Sequence, residues 1–246
     1  MSWETIFAQL EAGTIRAAIN QDGQWLANVE VKEAILEAFR DGYLIEQDGF
    51  VDKHNLMPQQ FTPERGIRLV PGGSSVRRGS YVAPGVIIMP PAYVNVGAFV
   101  DEGTMVDSHA LVGSCAQIGK SVHLSAGVQI GGVLEPIGMS PVVIEDHVFV
   151  GAGCVVVEGI VVRHGAVLAP GVTLSKALRI YDAVNEVVLE QGADVPENAV
   201  VVPGTRPIGE RYGWAAEHNL QLSCPVIVKY RDEKSNSALS LEDALR

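Results

Sequence analysis

The chain has 246 residues, enough for one large domain or two smaller ones with a sizeable core, and a formal charge of −11 from 18 Lys and Arg against 29 Asp and Glu. That acidic balance argues against a nucleic-acid or membrane-surface role, which calls for a basic face, but leaves room for a local Arg or Lys pocket that takes an anionic substrate. Glycine is abundant (26) and aromatics scarce (6%), which favours short strands joined by tight turns.

In chain order, MSWETIFAQLEAG has no basic region followed by a long apolar run, so it does not read as a signal peptide. Trp3, Ile6, Phe7 and Leu10 stand at helical spacing, and Gly13 ends the segment. Thr14 to Leu26 alternates around Gln21-Asp22-Gly23, which predicts a hairpin. A second helix is expected over Val31 to Phe39, with Ile35 and Ala38 inward and Gly42 after it. Residues 1–65 are therefore expected to form a small α/β, mainly helical cap domain.

A period of six follows. Val82, Ile88, Val94, Val100, Val106, Val112, Ile118, Leu124 and Ile130 are all aliphatic. A companion column, four residues after each, holds Val86, Ala92, Ala98, Thr104, Ala110, Ala116, Val122, Val128 and Leu134. The pattern resumes out of phase at Ile144, Val150, Val156, Val162, Leu168 and Leu174, accompanied by Val148, Cys154, Ile160, Ala166 and Val172. No α-helix keeps one column buried at that spacing, because its apolar stripe recurs at three and four residues. The pattern fits a parallel β-helix of hexapeptide repeats, three hexads to a coil, stacked at about 4.8 Å. The expected fold is mainly β: this β-helix over residues 66–180, the cap before it, and a C-terminal extension over 181–246. Between Ile130 and Ile144 the spacing is fourteen rather than twelve, and the turn-rich stretch 134–141 is expected to bulge from one corner as a loop. Beyond the period, Val200–Pro207 and Pro225–Tyr230 read as strands, and Ser240 as the N-cap of a short helix.

The run from Tyr93 to Asp107 (YVNVGAFVDEGTMVD), Val112 to Ser125 (VGSCAQIGKSVHLS), Ile130 to Pro136 and Val143 to Asp146 resemble the bacterial tetrahydropyridine-dicarboxylate N-succinyltransferases. So do Asp22-Gly-Gln-Trp25, Arg179-Ile-Tyr-Asp182 and Val226-Ile-Val-Lys229, so the likeness runs through nearly the whole chain in order. The resemblance implies a left-handed β-helix and a homotrimer with active sites between subunits. It also implies succinyl transfer from succinyl-CoA to the amine of 2-amino-6-oxopimelate, the ring-opened form of tetrahydrodipicolinate, in lysine and diaminopimelate biosynthesis. The chain departs from the family in two places. Its N-terminal helical region is shorter than in the longer members, and Val155 stands where some members have a carboxylate implicated in the active site.

Acyl transfer to an amine needs a held and deprotonated amine, an oriented acceptor, and donors for the oxyanion. Asp107 directly follows an inward Val106 and so sits at a turn. Position alone favours an aspartate that satisfies local N–H groups. The resemblance makes it the residue that binds the substrate amine, with a base role chemically open. Arg68 matches a substrate-binding arginine of the family, suited to reading a carboxylate with its fork. Gly131, Gly132, Ala152, Ala169 and Gly171 are candidates for the close approach of coenzyme A, though corner glycines are also simply structural. Lys176 and Arg179 are candidate partners for the CoA phosphates or the succinyl carboxylate. Succinyl-CoA enters as co-substrate and no tightly bound cofactor is expected.

Three other readings compete. An acetyltransferase on the same acceptor shares the Gly-Thr-Met-Val-Asp and Val-Ile-Glu-Asp elements, and the segments at 179–182, in the cap hairpin and in the C-terminal strand favour succinyl. A zinc hydratase needs three converging histidines, and His109, His123, His147 and His164 are each more than ten residues apart. A binding scaffold without activity is the third. Three cysteines with no CxxC spacing imply neither a disulfide framework nor a metal site and suit a reducing cytoplasm. No apolar stretch is long enough to span a bilayer.

Overall fold

The computed structural model describes residues 1–231, so the helix expected from Ser240 lies outside the described residues. Strands of two residues recur every six, as in Tyr81–Val82, Ile87–Ile88 and Tyr93–Val94. Each pairs in parallel with the strand one coil later, which stacks Val82, Val100 and Ile118 in one file. Three parallel stacks close a left-handed β-helix of triangular section.

A two-residue strand points one side chain inward and one outward, so the inward file alone fills the axis. Every member from Val82 to Ile130 is at most 1% exposed, and Ile144 to Leu174 continue in the same way. Burying an aliphatic side chain stabilises by about 1.5–3 kcal/mol, more than the net gain from one backbone hydrogen bond. The spacing of aliphatics therefore dictates where the chain turns. The companion column lines the corners and is likewise buried from Val86 to Val128.

Leu134 departs from that column. Ile144 stacks directly above Ile118, so the segment from Ile130 to Ile144 is one hexad carrying eight extra residues, not two hexads plus two. Val142 fills the corner place expected for Leu134 and accepts the Gln117 N–H at 2.9 Å. Leu134 instead leaves the prism and packs with the cap core. The reason is topological: a three-sided coil that skipped a side would set Val143–Ile144 against the wrong stack.

The three sides differ outside. The capped side (Tyr81, Phe99, Gln117, Val143 and Val161 outward) has its last four outward residues buried. The Arg68 side presents Ile87, Met105, His123, Phe149 and Val167 above Arg68, and the Tyr93 side presents Ser75, Leu111, Gln129, Val155 and Thr173 around Tyr93. Most of these are only half-buried. The edges between sides are the Asp107 edge (Arg68 side to Tyr93 side), the loop edge (Tyr93 side to capped side) and the Glu145 edge (capped side to Arg68 side).

The cap begins with α1 (Trp3–Glu11), which buries Ile6, Phe7 and Leu10. β1 (Ala18–Gln21) and β2 (Gln24–Ala27) form the expected hairpin, with Asp22 and Gly23 both at positive φ. α2 (Val29–Asp41) is longer at both ends than the sequence pattern marks and includes a fully buried Lys32. A second hairpin, β3 (Leu44–Gln47) and β4 (Phe50–Lys53), turns at Asp48-Gly49 and was not among the expected elements. The cap core includes Val96 and Cys115 of the prism, so cap and prism share one packed interface. Its tightness is visible at Gly97 (φ +74°), where an added Cβ would lie 2.8 Å from Ile35 Cδ1.

The long strands Ala199–Pro207 and Gln221–Tyr230 extend the Arg68 side as an antiparallel ribbon. Tyr181–Asp182 joins that ribbon in parallel. No helix among the described residues is long and apolar enough to cross a membrane.

Asp182 anchors this extension. Its carboxylate accepts Tyr230 Oη–H (2.6 Å), Asn185 Nδ2–H (2.8 Å) and the backbone N–H groups of Val184 and Asn185. Burial alone would push its pKa up, but these hydrogen bonds outweigh burial and hold it below the ordinary 3.8. A depressed carboxylate pKa contributes stability that is present above the unfolded pKa and lost as pH falls through the folded one. Asp182→Asn should therefore cost about 1–3 kcal/mol at pH 7, and the gap to wild type should shrink below pH 3.8. Urea unfolding at pH 7 and pH 3 measures this, and an equal gap at both would count against it.

Candidate active site

Asp107 and Arg68 belong to one side of the prism. The Arg68–Leu69 strand pairs with Ile87–Ile88, which pairs with Met105–Val106, and Asp107 turns the corner immediately after. Arg68 is exposed and points outward two strands below Met105, about 9.6 Å at the usual strand spacing. Asp107 is half-buried, and its Oδ1 accepts the Ser108 N–H at 2.7 Å, as the local-turn reading expects.

Ala152 and Ala169 lie higher on the same edge. Gly127 N–H donates to Ser108 O, Gly153 N–H to Ala126 O, and Gly171 N–H to Ala152 O, a ladder that climbs the corner from Asp107. The upper part is bare backbone: Gly151, Ala152, Gly153, Ala169, Pro170 and Gly171. At Gly151 even a methyl would meet Pro170 N at 2.6 Å.

The other candidates lie elsewhere. Gly131 and Gly132 open the inserted loop on the loop edge, a full side away. Lys176 sits on that edge, its backbone N–H capped by Glu158 Oε2 at 2.9 Å, and Arg179 follows beyond the last coil, exposed. A single chain thus joins Arg68, Asp107, Ala152 and Ala169, and does not bring Gly131, Gly132, Lys176 or Arg179 to them. Val155 points outward on the Tyr93 side among Tyr93, Leu111, Gln129 and Thr173, so that side offers no carboxylate in the file. Glu158 is spent on the loop edge and does not stand in for it.

His109, read from the sequence as a surface or hydrogen-bonding residue, shares the Asp107 corner. It is two residues after Asp107 on the same corner, exposed, and holds φ +61°, a left-handed conformation that a non-glycine residue adopts at a cost. Together with Gly73, Pro91, Tyr93 and Leu111 it lines a groove of about 230 Å³. Among the described residues no group of three His, Cys, Asp or Glu side chains could hold a metal ion.

The inserted loop is held from the cap. Lys32 Nζ donates to Met139 O, Ser140 Oγ donates to Trp25 O at 3.0 Å, and Leu134 packs with the cap core. Burial lowers the Lys32 pKa, and the nearby Cys115 opposes that shift.

The stacked six-residue turns define a hexapeptide-repeat protein. A family profile described as the hexapeptide repeat of succinyl-transferase matches residues 141–176. The chain is 46% identical to the 2,3,4,5-tetrahydropyridine-2,6-dicarboxylate N-succinyltransferase of Azoarcus sp. strain BH72, covering 98% of this chain and 87% of that one. It is 44% identical to protein TabB of Pseudomonas amygdali pv. tabaci, covering 99% and 88%. A Campylobacter jejuni crystal structure described as a 2,3,4,5-tetrahydropyridine-2-carboxylate N-succinyltransferase shares the fold (TM-score 0.57, 17% identity), and the aligned part spans 92% of this chain and 63% of that one. The chain belongs to the tetrahydropyridine-dicarboxylate N-succinyltransferase family.

If Lys32 fixes the loop, Lys32→Met should speed hydrogen exchange within 131–141 by about tenfold or more, since one lost charged hydrogen bond corresponds to about 1.5–3 kcal/mol. Mass-resolved exchange reads this directly. Unchanged exchange across 131–141 would remove Lys32 from that role.

Proposed function

We propose that the protein transfers a succinyl group from succinyl-CoA to the amine of 2-amino-6-oxopimelate, the open form of tetrahydrodipicolinate, in lysine and diaminopimelate biosynthesis. The observation that carries this reading is whole-chain identity of 43–46% to relatives named for that reaction, with Asp107 and Arg68 on one side of the prism. Those names also weigh against the acetyl alternative.

On this reading Arg68 holds a carboxylate of the acceptor and Asp107 holds its amine, which fixes the nucleophile in line with the thioester. His109 takes the amine proton, since an imidazole is the commonest proton acceptor in such transfers. The amine nitrogen bonds to the thioester carbon, and the oxyanion is met by backbone N–H groups of the edge. Collapse breaks the C–S bond, and the leaving CoA thiolate takes a proton. The pantetheine arm lies along Ala152 and Ala169, where small residues admit it.

The split placement of the candidates supports a homotrimer. Around a threefold axis the loop edge of one copy, with Gly131, Gly132, Lys176 and Arg179, would face the Asp107 edge of the next. Half-buried Met105 and Phe149 on one side and Tyr93, Leu111 and Val155 on the other supply the apolar area that such contact needs. Three buried, unpaired cysteines suit a cytoplasmic enzyme.

Steady-state kinetics with both donors test the reading. Succinyl-CoA should be preferred over acetyl-CoA, Asp107→Asn should lower kcat/KM by about 10²-fold or more, and Arg68→Lys should act mainly on the acceptor's KM. Preference for acetyl-CoA, or an Asp107→Asn enzyme as active as wild type, would overturn it.

A further inference from the structure

The Glu145 edge carries a cavity set apart from the Asp107 edge. The hairpin of the cap lies against the Glu145 edge and, with it, lines this open cavity of about 280 Å³. Its most constrained wall is the Arg16 guanidinium. Nε donates to Gln117 Oε1 at 2.8 Å, the guanidinium stacks 3.7 Å from the Phe99 ring centroid, and the Trp25 ring lies 5.4 Å away.

Each of those contacts is itself fixed. Gln117 is fully buried, and its Nε2 donates to Cys115 O at 2.8 Å, with Ala116 O and Gly97 O near, so its Oε1 can face only Arg16. Trp25 is held by Nε1–H donated to Glu145 Oε1 at 2.9 Å. The terminal nitrogens of Arg16 have no hydrogen-bond partner among the described residues. The guanidinium is thus held in place by one edge and one face, with its fork left over for an incoming acceptor.

Across the cavity stand Asp101 and Asp146. Each spends one oxygen on a backbone N–H, Glu102 and Lys120 respectively, and its second oxygen has no partner among the described residues. Both act on the Arg16 charge, yet neither forms an ion pair with it. The gap between them exists because Gly119 occupies the corner position between Asp101 and Glu145. That glycine has no side chain to fill the space, and a Cβ there would meet Asp146 Oδ1. Glu145 shares Arg163 with Asp194 and also accepts the Trp25 Nε1–H, so the charges facing the cavity without an ion pair are the Arg16 guanidinium and the Asp101 and Asp146 carboxylates, with the His164 ring beside them.

A lone anion such as phosphate would meet two carboxylates, and a lone cation would meet the guanidinium. A small molecule that carries both signs satisfies both walls. We propose that this cavity binds a free α-amino acid with a neutral or basic side chain, its carboxylate on the Arg16 fork and its ammonium between Asp101 and Asp146. The site is separate from the Asp107 edge, so it would act as an accessory or effector site. A preformed receptor of this kind loses little ordering entropy on binding.

Calorimetric titration of the full-length protein without CoA tests this, using L-lysine and glycine as probes and acetate, ethylamine and L-glutamate as controls. L-Lysine and glycine should bind saturably, and acetate and ethylamine about tenfold more weakly, since each forms only one of the two charged pairings. Arg16→Lys keeps the charge but removes the fork and should weaken L-lysine binding about tenfold or more. Asp101→Asn, which keeps an oxygen for the Glu102 N–H, should weaken it about fivefold or more. Asp107→Asn should leave it within about twofold, which separates this cavity from the acceptor site. Binding that survives Arg16→Lys and Asp101→Asn, that disappears in Asp107→Asn, or that does not saturate for either amino acid would overturn the proposal. Because no turnover is read, the result stands whether or not succinyl transfer is detected.

Discussion

The structure depends on one constraint: a closed three-sided coil whose strands are two residues long. Only one side chain per strand reaches the axis, so each inward residue must be a branched aliphatic and must recur at six. Outward positions and corners are then free to vary, and chemistry can be placed there without disturbing the core. Asp107, His109 and the small residues around Ala152 all stand at corners, within three residues of an inward Val or Leu that fixes their height.

The same constraint explains the inserted loop. Extra residues can enter only at a corner, and they must return the chain to the next side in sequence. The chain leaves the prism after Ile130 and comes back at Val142 with eight residues more than a hexad holds, and the excursion is secured by the cap. The cap is fastened in turn along the Glu145 edge. Arg163 binds Glu145, Asp194 and the carbonyl of Gly23, so one guanidinium ties hairpin, coil and C-terminal extension together. Half-buried ion pairs of this sort are weak sources of net stability, but removing one partner leaves an unpaired charge. Their effect here is to fix the position of the cap over the capped side.

The inward file was legible because its period matches no other regular structure, and the first hairpin because Asp22-Gly23 marks a two-residue turn. The second hairpin carried the same mark at Asp48-Gly49, but Leu44, Phe50 and Val51 are exposed, so the alternation that signals a half-buried strand is absent. Leu134 was misplaced because spacing alone cannot distinguish two hexads plus two residues from one hexad plus eight. Arg68 and Asp107 came from likeness to a family, and the fold adds that they share a side. The Arg16 cavity was out of reach, since Arg16 and Gln117 are a hundred residues apart and nothing local marks either as a pair. The split of the candidates between two edges also emerged only with the coil registers in place.

The central claim is that the bare Asp107 edge is where acyl chemistry occurs. The most direct measurement is a crystal structure with coenzyme A and an unreactive 2-aminopimelate bound. The account predicts the pantetheine arm along Ala152 and Ala169, the thiol near Asp107, and the acceptor's carboxylate on Arg68. Coenzyme A bound along the Glu145 edge, or an acceptor that touches neither Arg68 nor Asp107, would contradict it.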